Sequence, residues 1–424
     1  MKKWQDFSKE ELLAQKDELQ KKYEDIKELG LNLNMSRGKP SADVLDISNG
    51  LLGSLDSYYT EDGADVRNYG IVTGIPECKR LFSQLLHIPE DNLIIGGNAS
   101  LSHMYNIYSV LYLFGPVGFE PWGKLPKVKF LCPVPGYDRH FAVSEDFGTE
   151  MINVPMTKDG PDMDIVEELV KNDDQIKGIW CVPLYSNPEG VVYSDETVKR
   201  LAQMETAAGD FRIFWDNAYG VHHIDKEYEI ADIMKLAKEE GNEDRVYYFF
   251  STSKITFPGG GIGMFASSDT NIKQMTKHIT KQTIGYDKIA QLRTSNFFNS
   301  PEDIHQHMHK IAGILKPKFD LVLDKLEEEF AGTGLLDWVT PKGGYFVSID
   351  TLDGCAKDVV AMAGEAGATL TGAGATFPYK KDPDNTNIRI APTYPDLDEL
   401  SKTMELLCIC IKLVSIEKLL ILQP

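Results

Sequence analysis

Three short apolar runs, each ending in a polar turn, constrain this chain more than any other feature. Ile179-Trp-Cys-Val-Pro183 gives way to Ser186-Asn187-Pro188-Glu189-Gly190. Phe211-Arg-Ile-Phe-Trp215 gives way to Asp216-Asn217-Ala218-Tyr219, and Val246-Tyr-Tyr-Phe-Phe250 to Ser251-Thr252-Ser253-Lys254. Short β-branched and aromatic runs bounded by turn residues read as buried strands. In open α/β sheets ligands bind at the C-terminal ends of such strands, so Asn187, Asp216, Tyr219 and Lys254 are expected to converge on one sheet edge. The expected fold is α/β: a large domain with a mostly parallel central sheet flanked by helices, plus a smaller α+β domain. The smaller domain would combine the N-terminal segment with the C-terminal third, dividing the chain at residues 1–50, 51–309 and 310–424.

A chain of 424 residues, 42% hydrophobic and 25% charged, has material for a substantial core and for two or three domains. Its 44 Lys and Arg stand against 64 Asp and Glu, a formal net charge of −20. A surface of that sign repels nucleic acid and anionic membrane, so neither is an expected partner. The same field opposes an acidic substrate, and arginines in the site would have to reverse it locally. Six cysteines, Cys78, Cys132, Cys181, Cys355, Cys408 and Cys410, follow no framework spacing, and Met1-Lys-Lys-Trp-Gln-Asp-Phe has no apolar signal core. Reduced thiols and a cytoplasmic location are expected. Cys408-Ile-Cys410 has no second pair to complete a metal site and reads as buried helix positions. Over residues 406–422, Lys412, Glu417 and Lys418 break any span of about 18 apolar residues, so the tail is expected to be an amphipathic helix packed on the protein.

Residues 8–29 carry Leu12, Leu19, Tyr23 and Ile26 at helical spacing behind a Ser8/Glu11 capping box. Residues 32–40 run extended into Arg37-Gly38-Lys39-Pro40, which lacks the glycine spacing of a phosphate-binding P-loop. After the short strand Asn92-Leu-Ile-Ile95, Gly97-Asn98-Ala99-Ser100 opens a helix. Free backbone N–H groups and the positive end of the helix dipole there suit an anion such as phosphate. Beyond the strand Lys129-Phe-Leu-Cys-Pro133, Tyr137 could stack on a flat heteroaromatic ring, worth about 0.5–1.5 kcal/mol beyond its burial. His140 reads equally as a support for Asp216 or as an ordinary loop histidine. The glycine run at 259–263 has the wrong spacing for a dinucleotide fingerprint. On a helix, His305 and His309 share a face while His307 points roughly opposite, so a three-histidine metal site fails and no metal is expected. Residues 310–330 form a long amphipathic helix linking the lobes. Trp338-Val-Thr-Pro-Lys-Gly-Gly-Tyr-Phe-Val-Ser-Ile349 reads as a strand pair and Asn387-Ile-Arg389-Ile-Ala-Pro392 as a further strand.

A lysine amine becomes a nucleophile when its surroundings lower its pKa, and its commonest covalent partner is then a carbonyl, that of pyridoxal phosphate included. Ser251 and Ser253 could take phosphate oxygens beside Lys254. Alone, Lys254 also reads as a solvated loop lysine.

Taken in order, Asn187-Pro-x-Gly190, Asp216-x-Ala-Tyr219, Ser251-x-Ser-Lys254 and the late Arg389 resemble the fold-type I aminotransferases that use pyridoxal phosphate. Ser36-Arg-Gly-Lys-Pro40, Gly97-Asn-Ala-Ser-Leu101 and Ser253-Lys-Ile-Thr-Phe-Pro258 are similar, more narrowly, to the bacterial type Ic aspartate aminotransferases. The resemblance runs from about Ser36 to the C-terminus. It implies transfer of an amino group from an L-amino acid, aspartate first among them, to a 2-oxo acid such as 2-oxoglutarate.

The resemblance also implies roles. Lys254 would hold the cofactor and move the Cα proton, and Asp216 would keep the ring nitrogen charged by favouring its cationic form by about 1–3 pKa units. Asn187 and Tyr219 would face the phenolic oxygen and Tyr137 the ring. Ala99, Ser100, Ser251 and Ser253 would hold the phosphate, joined by Tyr69 of a neighbouring subunit in a homodimer. By itself Tyr69 reads as a packing aromatic. Arg389 would pair with the substrate α-carboxylate, although alone it reads as a strand-end ion pair. Gly38 would let the backbone approach that carboxylate, and Arg37 or Arg293 would recognise a second one. One departure stands out: relatives commonly carry an arginine eight residues after the lysine, and here that residue is Ile262. Phosphate charge must then be balanced by helix amides, hydroxyls and Tyr69. If neither Arg37 nor Arg293 faces the site, a neutral donor such as alanine or an aromatic amino acid fits better. A lyase on the same scaffold is a further alternative, whereas the short N-terminal stretch and acidic charge disfavour a DNA-binding regulator.

Overall fold

The structure, a computed structural model, describes residues 3–423; Met1, Lys2 and Pro424 lie outside the described residues. The N-terminal pattern folds as a helix over Lys9–Glu28, closed at its start by the expected capping box. The Ser8 N–H donates to Glu11 Oε2 at 2.7 Å and the Glu11 N–H to Ser8 Oγ at 3.2 Å. The arm that follows contains a short strand, β1 (Leu33–Asn34).

The large sheet is built from β2 (Leu93–Ile95), β3 (Lys129–Val134), β4 (Glu150–Thr157), β5 (Gly160–Pro161), β6 (Ile176–Cys181), β7 (Arg212–Asp216), β8 (Val246–Ser251) and β9 (Gly263–Ala266). Their order is β2-β9-β8-β7-β6-β3-β4-β5. Strands β4, β3, β6, β7 and β8 pair in parallel, while β9 runs antiparallel between β2 and β8 and β5 antiparallel at the edge. The apolar runs are continuous because both faces of the sheet are covered. Ile213 and Trp215 of β7 enter one hydrophobic cluster and Phe214 between them enters the other; Tyr248 and Phe250 of β8 likewise alternate with Tyr247 and Phe249. Since β4 lies on one side of β3 and β6 on the other, the chain reverses its direction of sheet growth there. The loops after β3 and β6 diverge at that switch point and open a crevice.

The smaller domain carries its own antiparallel sheet of β10 (Leu336–Val339), β11 (Val347–Thr351) and β13 (Asn387–Ile390), with Trp338 opposite Ile349 and Ser348 opposite Arg389. Strand β12 (Ala368–Thr369) pairs in parallel with β1 and ties the N-terminal arm to this domain.

Two expectations need correction. The linking helix spans Pro301–Phe330, not 310–330. Its start is set by Ser300, capping box partner of Asp303, and by Pro301 in the first turn, where a missing N–H costs nothing. The tail helix, Leu397–Leu422, is not amphipathic through its middle. Leu406 to Ile411 are all buried, because the helix is packed among the helices Lys9–Glu28, Pro301–Phe330 and Ala356–Glu365. Its charges leave through specific partners: Lys412 pairs with Glu329, and Glu417 with Lys16 at 3.0 Å. Among the described residues no helix is long and apolar enough to cross a membrane, and all six cysteines are buried and free.

Candidate active site

Lys254 stands in the tight turn that leaves β8. The turn is pinned from below: the Thr252 N–H donates to the Ile262 carbonyl and the Ile262 N–H to Thr252 Oγ1, each at 3.0 Å. Ile262 is buried in the core. The Lys254 amine makes no hydrogen bond or ion pair among the described residues. It lies 4.9 Å from the ring centroid of Tyr219 and 5.9 Å from that of Tyr345. Burial pushes its pKa below the ordinary lysine value; the Asp216 carboxylate opposes that shift and the Arg389 charge adds to it.

Asp216 is the last residue of β7 and is buried. One carboxylate oxygen, Oδ2, is 2.9 Å from His140 Nε2, and His140 is held by stacking on Trp180, with centroids 4.4 Å apart and planes at 11°. Of the two readings of His140, the structure shows the contact with Asp216, made from the helix Asp138–Asp146 and not from a loop. The other oxygen, Oδ1, is buried with no partner. A dry, unpaired carboxylate oxygen is costly unless a ligand donates to it.

Asn187, in the loop after β6, is buried and accepts from Arg389 Nη1 at 3.1 Å. The same Nη1 donates to Asp138 Oδ1 at 3.0 Å, and the guanidinium lies 4.7 Å from the Phe346 ring centroid. Phe346 explains Gly38: a Cβ on residue 38 would sit 2.5 Å from Phe346 Cζ, so only glycine lets the arm close over that ring.

At the other end of the site the helix Ser100–Phe114 begins with Ala99 as its N-cap and no side-chain cap, leaving its first N–H groups free for an anion. Gly263 lies flat against Ala99, where a Cβ would come within 2.6 Å of the Ala99 carbonyl oxygen. Ser253 Oγ donates to the Asn98 carbonyl at 3.4 Å, and Ser251 Oγ to Ser253 Oγ at 3.1 Å. Ser251 and Ser253 thus lie beside the segment that leads into this helix.

Tyr137, Asn187, Tyr219, Lys254 and Arg389 all line a cavity of about 490 Å³. Its lining includes five basic residues, Arg37, Lys39, Arg139, Lys254 and Arg389, and one acidic residue, Asp138. Of the predicted residues, Asp216, Ala99, Ser100, Ser251, Ser253, Arg293 and Tyr69 are not in that lining. Arg293 is not in the lining; its backbone carbonyl accepts from Ser54 Oγ at 2.9 Å and its Nε is buried without a partner. Tyr69 is 81% exposed, in a loop outside the cavity beside residues 285–289.

Sequence reasoning missed Asp138, Phe346, Tyr345 and His222. Asp138 had a weak signal in its adjacency to Tyr137. His222 had none: it is buried against Tyr219 and Tyr345 with neither ring nitrogen hydrogen-bonded. Burial first, and then the Lys254 charge, push its pKa down to about 3, so it is neutral at ordinary pH.

The unpaired amine, the dry Asp216 oxygen and the open helix start fit the aldehyde, ring nitrogen and phosphate of pyridoxal phosphate, and with this sheet topology they define a pyridoxal-phosphate enzyme of fold type I. Comparison with known proteins agrees. The sequence pattern of the family described as aspartate amino-transferase matches residues 7–423. An aspartate aminotransferase of Corynebacterium glutamicum is 43% identical over 97% of this chain and 96% of its own length. The crystal structure of an aspartate transaminase from the same organism matches with a TM-score of 0.95, 43% identity and coverage of 98% and 99% of the two chains. The α-aminoadipate aminotransferase of Thermus thermophilus, solved with N-(5'-phosphopyridoxyl)-L-leucine, shares the fold at 18% identity, with a TM-score of 0.75 over 92% of this chain and 94% of that one. The chain belongs to the aspartate amino-transferase family, and its cofactor is pyridoxal 5'-phosphate.

Proposed function

We propose that this aminotransferase takes the amino group of L-aspartate and passes it to a 2-oxo acid such as 2-oxoglutarate, as a cytoplasmic homodimer. The observation that carries the substrate assignment is the lining of the cavity, where, Lys254 apart, there are four basic residues, Arg37, Lys39, Arg139 and Arg389, to one acidic, in a chain of net charge −20. Such a reversal suits a ligand with two carboxylates. The name of the Corynebacterium relative supports the same reading.

Bound here, pyridoxal phosphate supplies the electron sink that makes the substrate Cα–H acidic. Lys254 would attach it through Nζ, Asp216 Oδ1 would accept its ring N–H, and Tyr137 would stack on it. Asn187 spends its oxygen on Arg389 and keeps its amide N–H groups to donate, with the Tyr219 hydroxyl, to the phenolic oxygen. Ala99 and Ser100 N–H groups and the Ser251 and Ser253 hydroxyls would take the phosphate. Tyr69, too exposed to serve its own cavity, would complete that set across a dimer interface.

The remaining work falls to the chain. Because burial disfavours the charged form of Lys254, its Nζ is available as the base that takes the proton from Cα. Arg389 would fix the α-carboxylate, displacing Asp138, and Arg37 at the rim would read the second carboxylate. Arg293 has no such part within its own subunit's cavity. Steady-state assays with 2-oxoglutarate and a panel of aspartate, alanine and phenylalanine test the assignment. The expected result is the highest kcat/KM for aspartate; an equal or higher value for alanine or phenylalanine overturns it.

A further inference from the structure

A second cluster of ligating groups lies on the far side of the loop that follows β7. His223, Glu227 and His305 each present one ligand atom within 4.8 Å of the others. His309, one turn beyond His305 on the same face of the helix Pro301–Phe330, lies outside this group of three but reaches Glu227. Glu227 Oε1 is 3.5 Å from His305 Nδ1 and 3.9 Å from His309 Nε2. His307, between them, points away and is occupied by Ser48 Oγ at 3.1 Å and the Ile255 carbonyl at 2.8 Å. The objection to three histidines on one helix therefore holds, but a histidine from another element takes the missing place.

The ligand atoms are prepared for more than an ion pair. The Tyr185 hydroxyl is hydrogen-bonded to His223 Nδ1, which fixes the ring and leaves Nε2 open. His305 Nδ1 is buried and has no hydrogen-bond partner. A cavity of about 400 Å³, lined by His223, Glu227 and His305, gives the cluster access to solvent.

We propose that His223, Glu227, His305 and His309 bind a divalent cation of the zinc class. Three imidazole nitrogens and one carboxylate form the nitrogen-rich, four-coordinate set that Zn²⁺ takes, whereas Ca²⁺ and Mg²⁺ require oxygen ligands. Tetrahedral bonds of about 2.0–2.1 Å place ligand atoms about 3.3 Å apart, close to the separation of Glu227 and His305 already present. His309, 65% exposed at its side chain, is free to swing inward. The Tyr185 contact to His223 is the outer-sphere support that metal-bound histidines ordinarily have. The ion touches none of the reacting groups. It ties the loop carrying Asp216 and Tyr219 to the helix that runs between the lobes, close to where the Gly344 N–H donates to the His222 carbonyl at 3.0 Å.

The test uses the untagged full-length holoenzyme, stripped with a chelator and titrated with ZnCl₂ by calorimetry and with CoCl₂ by visible absorption. One equivalent per chain, an intense tetrahedral cobalt spectrum and a higher Tm with zinc are expected. His305→Asn and Glu227→Gln should weaken binding by at least the ~10–100-fold that even outer-sphere losses cost. Both should keep aminotransferase activity, which shows that they fold. Tyr185→Phe should weaken it less. The proposal fails if the wild-type protein takes up no stoichiometric zinc, if the cobalt spectrum is the weak octahedral one, or if His305→Asn and Glu227→Gln bind as tightly as wild type.

Discussion

The floor and the roof of the cavity are built on different principles. The floor comes from the C-terminal ends of β7 and β8 and the loops after β3 and β6, and its groups are fixed by short-range geometry: Asp216 by His140, His140 by Trp180, the Lys254 turn by Thr252 and Ile262. The roof comes from the arm at 36–39 and the smaller domain, and its central cation, Arg389, is held by two acceptors from the opposite wall, Asp138 and Asn187. The floor is preorganised for one cofactor. The roof holds its charge against a carboxylate of the chain itself, Asp138.

The sharpest test of this contrast is Lys254→Ala, which should lower turnover by ~10⁴-fold or more, the upper range for losing a positioned base, and abolish the cofactor–lysine absorbance. Normal kinetics in that variant would break the assignment of the floor. Arg389→Ala strikes the roof and should raise KM by ~10–100-fold, equivalent to about 1.5–3 kcal/mol for hydrogen bonds to a charged group, with the cofactor spectrum retained. Loss of the cofactor instead would mean that the two walls are not separable.

Asp138→Asn should have the opposite sign. With its carboxylate gone, Arg389 is no longer paired, and KM for aspartate should fall roughly fivefold, about the ~1 kcal/mol of a partly exposed ion pair. A rise would show that Asp138 orients Arg389 and does not compete for it.

An effect on stability, not on turnover, is expected where the walls meet. Glu189 follows Asn187 and Pro188, and a Cβ on the next residue, Gly190, would come within 2.3 Å of Pro341 Cβ. Burial pushes the Glu189 pKa up to about 8, with the Asp350 charge adding to it, and its Oε2 has no partner. A carboxyl whose folded pKa lies above its unfolded value of about 4.3 binds more protons folded than unfolded between those values. Its stabilising contribution is therefore full below about pH 4 and is lost as pH rises toward 8, by up to ~1.4 kcal/mol per unit. Glu189→Gln should flatten unfolding free energy against pH between 5 and 8, measured by urea denaturation. An unchanged slope would remove Glu189 from the account.

Legibility followed the same division. Asn187, Asp216, Tyr219 and Lys254 could be found because each closes or follows an apolar run, and a parallel sheet brings the ends of such runs together. The pairing of Arg389 with Asp138 joins residues 251 positions apart and leaves no local pattern. Gly38 was visible as a glycine, but its reason, the Phe346 ring, was not. Arg293 looked as suitable as Arg37, and only its helix's position away from the cavity separates them. The tail helix misled because its charges suggested a wet face, whereas Glu329 and Lys16 come from other elements to meet them.

Sequence by itself determined the sheet, the order of its functional turns and the lysine at their centre, because strand periodicity and turn chemistry act over a few residues. Tertiary structure alone decided which cations line the cavity, which acid pairs with Arg389, and that His223 joins His305 across two elements. Those are contacts between segments far apart in the chain, and they exist only once the core has set where each backbone runs.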